Sequence, residues 1–214
     1  MRTLPLIAIT TLAASAGMAA AADRTLTLTQ PAAGITEIVI QGGVGDVEFL
    51  GQDAPSVDAS VDLSTKHSSF WGSSRSREVL DSARLTNEVR GSTLYLSVET
   101  DGDSHDRDLS EDWSVRIPRS LAVRLKLGVG DVKVIDTRGD INVKVGVGDV
   151  RVEGSWSDYG DIRASCGVGD AELRGPDGRE EGGGFIGHSL RSRGAGKAEI
   201  EVHCGVGDTT IKLR

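Results

Sequence analysis

Hydrophobic and polar residues alternate along much of the chain, and the alternation is organised around one short motif. Gly-Val-Gly-Asp occurs five times, at residues 43–46, 128–131, 146–149, 167–170 and 205–208. Apolar or small residues stand one, three and five positions before each motif, as Val123, Leu125 and Leu127 do before the second copy. Strict alternation on both sides of a glycine-rich turn is typical of half-buried strands. Each copy therefore predicts a strand, a corner and a second strand.

The spacing of the motifs predicts how the copies associate. A second type of corner precedes the third and fourth copies, in the Arg-Gly-Asp of residues 138–140 and the Tyr-Gly-Asp of residues 159–161. Asp131, Asp140 and Asp149 follow one another at intervals of nine residues. Equivalent residues at equivalent corners indicate stacked rungs. The predicted fold class is all-β, a β-solenoid or β-helix-like stack of ~18-residue rungs with Gly-Val-Gly-Asp corners.

Three parts of the chain differ in composition. Residues 1–22 have a basic start, a short apolar run and a small-residue end, which is typical of a cleaved secretory signal peptide. Residues 23–214 are predicted to form one domain, because one copy of the motif precedes the irregular stretch 50–121 and four copies follow it in residues 122–214. We expect an exported chain, periplasmic or extracellular, without a membrane span, since the apolar run is too short for one.

Composition and charge exclude several classes of protein. Glycine supplies 28 of 214 residues, far below the one-third of collagen, and 38% hydrophobic residues can supply a core. Two cysteines cannot build a four-cysteine zinc site or a disulfide-dense scaffold. The net charge of −8 becomes −9 once Arg2 is removed with the signal peptide, leaving 23 basic and 32 acidic residues. We therefore expect no nucleic-acid partner, and no motif indicates a cofactor.

The order of these parts resembles a known family. Glu37-Ile-Val-Ile leads to Gly45-Asp46-Val47, an irregular middle follows, and Asp112-Trp-Ser-Val-Arg-Ile-Pro118 precedes serial Gly-x-Gly-Asp-Val repeats. This order resembles the bacterial putative-adhesin family of β-strand repeats, domain of unknown function 4097, over nearly the whole mature chain. The resemblance implies a β-solenoid on an exported or envelope protein. It carries over no catalytic residue, because the family has no established one.

The two cysteines occupy the same inward position of two repeats. Cys166 and Cys204 each stand directly before a Gly-Val-Gly-Asp motif. In stacked rungs such residues would be about 4.8 Å apart, a Cα separation that a disulfide accepts. Export supplies an oxidising compartment. The sequence predicts a Cys166–Cys204 disulfide that clamps the long insertion between them, and two buried free thiols are the alternative.

The aspartates of the corners are candidate metal ligands. Their nine-residue spacing invites comparison with calcium β-rolls, although those motifs have one more residue between the second glycine and the aspartate. The candidate calcium ligands are Asp131, Asp140, Asp149, Asp161, Asp170 and Asp208. The favoured interpretation is that each carboxylate accepts hydrogen bonds from turn amides, as aspartate does in ordinary turns. No metal is therefore predicted, and calcium stays an alternative.

Basic residues recur at outward positions of the second to fourth copies. The predicted stripe consists of Arg124, Lys126, Lys144 and Arg163. A regular cationic face on an acidic protein could bind an anionic polymer such as envelope polysaccharide. The alternative is that these residues only keep an exposed β-surface soluble.

These features predict a non-enzymatic, exported structural or interaction module of the bacterial cell envelope. Its expected partner is an anionic surface polymer or, as in an adhesin, a protein. The alternatives are a glycan-active β-helical enzyme and a calcium-stabilised β-roll. The C-terminal strand at residues 209–214 leaves little chain to cover the last rung. We therefore also expect homo-oligomers through the solenoid ends.

Overall fold

The computed structural model describes residues 24–65, 73–101, 109–176, 178–182 and 187–214. The predicted signal peptide lies outside these residues. Within them the chain is almost entirely β-structure. Its elements are β1 (Arg24–Pro31), β2 (Glu37–Val44), β3 (Val47–Gln52), β4 (Ser56–Thr65), α1 (Ser73–Ser82), β5 (Arg84–Arg90), β6 (Thr93–Glu99), β7 (Leu109–Pro118), β8 (Ala122–Val129), β9 (Val132–Ile135), β10 (Ile141–Val147), β11 (Val150–Gly154), β12 (Tyr159–Val168), β13 (Ala171–Gly175), β14 (Gly178–Glu181), β15 (His188–Arg193), β16 (Ala198–Val206) and β17 (Thr209–Leu213).

The strands form two mixed sheets. The nine-stranded sheet has the order β1-β4-β7-β3-β9-β11-β17-β13-β14, and the eight-stranded sheet has the order β15-β12-β16-β10-β8-β2-β6-β5. Central strands run parallel, as β8 and β10 do, whereas the outermost strands of both sheets pair antiparallel. Side chains from both sheets form one hydrophobic core, which includes Phe49 and Val134 from one sheet and Ile38 and Ile141 from the other.

Each Gly-Val-Gly-Asp copy connects a strand of the eight-stranded sheet to a strand of the nine-stranded sheet. The third copy, for example, leads from β10 into β11. The apolar positions that the alternation predicts to face inward are buried in every copy, except that Gly42 is half-buried. The prediction of strand, corner and strand is therefore confirmed.

Close approach of neighbouring corners explains why both glycines are needed. Gly148 has φ = 139°, a conformation that side chains rarely adopt, and a Cβ at this position would overlap the carbonyl oxygen of Gly130. A Cβ at Gly146 would lie 2.5 Å from the carbonyl oxygen of Gly128. The corners thus stack backbone against backbone, with no room for side chains between them.

The prediction of a β-solenoid is wrong. In a solenoid each circuit would pair with the preceding one, but the fifth copy lies between the third and the fourth, since β16 pairs with β10 and β12 and β17 pairs with β11 and β13. Residues 50–121 add strands β6 and β7 beside the first copy and antiparallel strands β4 and β5 beyond them. Similar repeats therefore lie side by side in two mixed sheets, and their order in space differs from their order in the chain.

The C-terminal strand is not at an edge. β17 pairs with β11 on one side and with β13 on the other, so it cannot supply the free end through which we expected chains to associate. The edges are instead β1 and β14 in one sheet and β5 and β15 in the other. The insertion after the fourth copy supplies β14 and β15, and it gives the chain enough length to place the fifth copy inside the sheets.

One buried polar pair stands out in the core. Tyr159 and Thr137 are 0% and 1% exposed. The Tyr159 hydroxyl donates to the carbonyl oxygen of Thr137 at 2.7 Å and lies 3.0 Å from Thr137 Oγ1. Since a phenol has one hydrogen, the threonine hydroxyl donates in that second contact. Burial is the main cause that raises the pKa of Tyr159 to about 12.

Candidate interaction surface

The predicted basic stripe lies on the outer face of the eight-stranded sheet, but its members differ in their partners. Arg124 forms an ion pair with Glu37 at 2.7 Å. Arg163 forms an ion pair with Asp161 at 2.6 Å and lies 3.6 Å from Glu199. The charges of both arginines are therefore balanced by carboxylates of the same protein.

The two lysines of the stripe form its unbalanced part. Lys126 and Lys144 are register partners on β8 and β10, and both are exposed. In the described part of the chain, neither has an ion pair with a carboxylate. His203 on β16 follows Lys144 in the same row, and its Nδ1 lies 2.8 Å from Ser165 Oγ. These three basic side chains form what we call the lysine row.

The strand order breaks up the basic stripe that the sequence predicts. The second to fourth copies are not consecutive in space, because β16 of the fifth copy separates β10 from β12. Glu201 on β16 therefore lies between Asn142 and Arg163 and accepts a hydrogen bond from Asn142 at 2.5 Å. Of the four residues of the predicted stripe, the two without an ion pair in the described residues therefore lie on β8 and β10.

The corner aspartates form a hydrogen-bonded row along the boundary between the sheets, which we call the aspartate row. Four of the carboxylates, those of Asp46, Asp131, Asp149 and Asp208, accept the backbone N–H of the aspartate in the next corner, whereas Asp170 Oδ1 lies 2.9 Å from His188 Nδ1. The bonds run from Asp131 N to Asp46 Oδ1, Asp149 N to Asp131 Oδ1, Asp208 N to Asp149 Oδ1 and Asp170 N to Asp208 Oδ1, each 2.8 Å, and from Asp46 N to Asp112 Oδ1, 2.9 Å. The carboxylates do accept main-chain amides, as expected, but from neighbouring strands.

The aspartates of the opposite corner are also engaged. Asp140 Oδ1 accepts the backbone N–H of Glu199 at 2.9 Å, and Asp161 pairs with Arg163 and with Arg193, the latter at 3.6 Å. Among the residues that the structure describes, no group of three or more histidine, cysteine or acidic side chains is placed to hold a metal ion.

We expect calcium to leave the thermal stability unchanged. A site with a Kd of about 10 µM would stabilise the fold by about 2.7 kcal/mol in 1 mM calcium, which is measurable as a rise in Tm. The measurement is thermal unfolding in EDTA and in millimolar calcium, with Asp149→Asn as the control because its amide oxygen still accepts the Asp208 N–H. A calcium-dependent rise in Tm that Asp149→Asn removes would contradict this expectation.

The two cysteines are neighbours but are not joined. Cys166 and Cys204 are register partners on β12 and β16, so the predicted adjacency is correct. Both are buried free thiols, which gives no support to the predicted disulfide. Cys204 Sγ contacts the carbonyl oxygen of Gly148 at 3.2 Å, and Cys166 Sγ contacts that of Asp170 at 3.3 Å. Burial, and next the neighbouring Cys166, raise the pKa of Cys204 to about 12.

We expect both thiols to be unreactive in the folded protein. Both thiols are buried and therefore shielded from a reagent in solution, and the raised pKa of Cys204 further lowers the amount of its reactive thiolate. Titration with a thiol reagent should detect no thiol in the native chain and both after unfolding without reductant. Unfolded protein that shows no thiol until it is reduced would instead demonstrate the disulfide.

The structure shows one exposed feature that the sequence reasoning missed. The valines of the five Gly-Val-Gly-Asp motifs are register partners in the spatial order Val44, Val129, Val147, Val206 and Val168. Four of them are exposed by 46–62%, and Val44 is half-buried. The sequence signal for this exposed row is the valine that stands at the same corner position in every copy. We call this row the valine ridge.

A groove at the opposite corner bears on the enzymatic alternative. It is lined by hydroxyl and charged residues that include Glu37, Arg138, Asp140 and Lys197. Its carboxylates are already engaged, since Glu37 binds Arg124 and Asp140 accepts the Glu199 N–H.

In the described residues no helix has the length and apolar character needed to cross a membrane. Neither a family model nor a curated protein matches the chain, so membership of the family named above is not confirmed.

Solved structures with a similar fold do exist. The chain is similar to a putative cell adhesion protein from Clostridium sporogenes, with 17% identity, a TM-score of 0.51, and coverage of 89% of this chain and 99% of that chain. A putative adhesin from Bacteroides fragilis matches with 11% identity and a TM-score of 0.30 over 90% and 98% of the two chains. A putative lipid binding protein from Parabacteroides distasonis matches with 10% identity and a TM-score of 0.25 over 90% and 98%. At such identities the first match shows a shared fold, and the other two are too distant to support an argument.

Proposed function

We propose that the protein is an exported, non-enzymatic interaction module of the bacterial cell envelope that binds an anionic polymer through the outer face of its eight-stranded sheet. The observation that carries the proposal is the pair Lys126 and Lys144, adjacent in register, exposed, and without a carboxylate partner in the described residues. The fold is consistent with this role, since a similar one occurs in a protein named as a putative cell adhesion protein.

The surroundings of the lysine pair favour an extended ligand. Neighbouring strands hold the two lysine Cα atoms about 4.8 Å apart on a regular surface. Arg124 lies on the same face and is 61% exposed despite its ion pair with Glu37. A polymer with repeated carboxylate or phosphate groups could therefore contact several cations at once, while the net charge of −8 disfavours binding elsewhere on the surface.

Replacing both lysines is expected to weaken binding to an anionic polysaccharide. Exposed charge contacts contribute roughly 0.2–1 kcal/mol each, so Lys126→Gln with Lys144→Gln should raise the Kd about 2- to 30-fold. The measurement is the Kd for polygalacturonate and for lipopolysaccharide at two salt concentrations, because charge-driven binding weakens with salt.

The matched control carries the same charge change on the other sheet. Lys133→Gln with Lys212→Gln removes two positive charges from β9 and β17 and should leave the Kd nearly unchanged. Equal losses in both double variants, or no loss in either, would contradict the proposed face. New reducing ends released from the polysaccharide would contradict a non-enzymatic role.

A further inference from the structure

The valine ridge is a continuous apolar strip on the outside of the molecule. Single exposed apolar residues are ordinary on protein surfaces, but a contiguous row usually marks a contact site. Five neighbouring strands at about 4.8 Å make the ridge about 19 Å long. Valine is stiff at χ1, so ordering these side chains at an interface costs little entropy.

Glycines on both sides make the ridge accessible. Gly128 precedes Val129 and Gly130 follows it, and the same pattern recurs in all five corners. The valines therefore protrude from a strip of bare backbone, and a facing surface could reach them without meeting other side chains.

The charges beside the ridge differ in sign. On the side of the eight-stranded sheet lies the lysine row, with Lys126 three residues before Val129. On the side of the nine-stranded sheet lies the aspartate row, with Asp131 two residues after Val129, and its carboxylates are exposed. A matching surface must therefore be apolar in the middle, anionic along one flank and cationic along the other.

We propose that the valine ridge binds the valine ridge of a second copy of this chain, with a two-fold axis parallel to the ridge. Rotation about that axis keeps each strand at its own level and exchanges the two flanks. It brings Lys126 and Lys144 of one copy to the side of Asp131 and Asp149 of the other. The pairing is isologous, so the contacts between lysines and aspartates occur on both flanks. An axis across the ridge would instead set like charges against each other.

The size of the surface predicts a weak dimer. Lys126 to Asp131 spans at most roughly 17 Å, so the strip covers about 300 Å² on each copy. Stable interfaces bury about 800 Å² on each partner. We therefore expect a concentration-dependent equilibrium between monomer and dimer with a Kd of about 100 µM. This Kd should rise with salt, because salt screens the charge contacts.

The first test is sedimentation equilibrium of the mature chain from about 10 µM to 1 mM at about 0.15 M salt. The variant Val129→Thr with Val147→Thr and Val206→Thr keeps the shape and the β-branching of the ridge and should raise the dimer Kd about tenfold or more. Val89→Thr is the control, because Val89 is 48% exposed on β5, away from the ridge. A chain that stays monomeric at the highest concentration, or a dimer that the triple variant leaves unchanged, would overturn the proposal.

The second test determines the orientation. With the two-fold axis along the ridge, Val129 faces Val129 of the second copy. With an axis across the ridge, Val129 would instead face Val206 of the second copy. Val129→Cys should therefore form a covalent dimer under mild oxidation, much faster than Val89→Cys. Equal rates for the two variants would overturn the proposal. Polymer binding by the triple threonine variant should persist, since its lysines are intact, so loss of the dimer and loss of polymer binding can be told apart.

Discussion

Replacing Gly148 by alanine is expected to lower the free energy of unfolding by about 3 kcal/mol or more. Two costs add. The backbone has φ = 139°, which a residue with a Cβ adopts at a cost of about 1–3 kcal/mol. The new methyl group would also overlap the carbonyl oxygen of Gly130, and forcing extra volume into a packed site costs about 1–3 kcal/mol.

Gly178 supplies the control for Gly148→Ala. It has φ = 127°, but a Cβ added there would meet nothing within 4 Å. Gly178→Ala therefore carries the backbone cost without the steric overlap. The measurement is urea unfolding of both variants and the parent. Equal losses of stability would show that backbone conformation alone, and not the stacking of corners, requires the glycines.

Ionisation of Tyr159 is expected to lower the stability of the fold between pH 10 and pH 12. The pKa of Tyr159 is raised to about 12, mainly by burial, whereas an unfolded tyrosine ionises at about 10. Between these pH values the unfolded state binds fewer protons than the folded state, so unfolding becomes more favourable as the pH rises. The contribution of Tyr159 to the loss approaches about 2–3 kcal/mol at pH 12 and is absent below about pH 10.

Tyr159→Phe separates this titration from general alkaline damage. The variant should lose about 1–2 kcal/mol at neutral pH, since Thr137 loses its buried hydrogen-bond partner. Between pH 10 and 12 it should then lose less stability than the parent, and the loss that remains includes that of Cys204, whose pKa is also raised to about 12. The measurement is urea unfolding at a series of pH values, together with tyrosinate absorbance. A parallel decline in the parent and the variant would contradict the assignment.

The regular repeats could be predicted well because period-two alternation is local. Inward positions such as Leu125, Val143 and Ile162 are identified by their distance from the motif, and burial confirms them. The order of the strands could not be predicted in the same way. All five copies present similar inward residues, so many pairings satisfy the same pattern. The antiparallel edges and the position of the fifth copy depend on segments that lack the motif.

The partners of individual side chains were harder to predict than their positions. The sequence predicts that the corner aspartates accept hydrogen bonds from turn amides, but it does not identify the donors: Asp149 Oδ1 accepts the N–H of Asp208, 59 residues later in the chain. Residue types alone predict the basic stripe, without the partners of its side chains. In the structure Arg124 and Arg163 form ion pairs with carboxylates, whereas the lysines of the lysine row have no such partner in the described residues.

By itself, the sequence determined that glycine-rich corners join alternating strands and that one face of each strand is buried, because these properties depend on residues close together in the chain. Only the tertiary structure decided that the copies form two mixed sheets rather than a solenoid, since strand order depends on contacts between distant segments. The same contacts align five corner valines into an exposed ridge beside rows of opposite charge. Such a surface exists only once the strands are side by side.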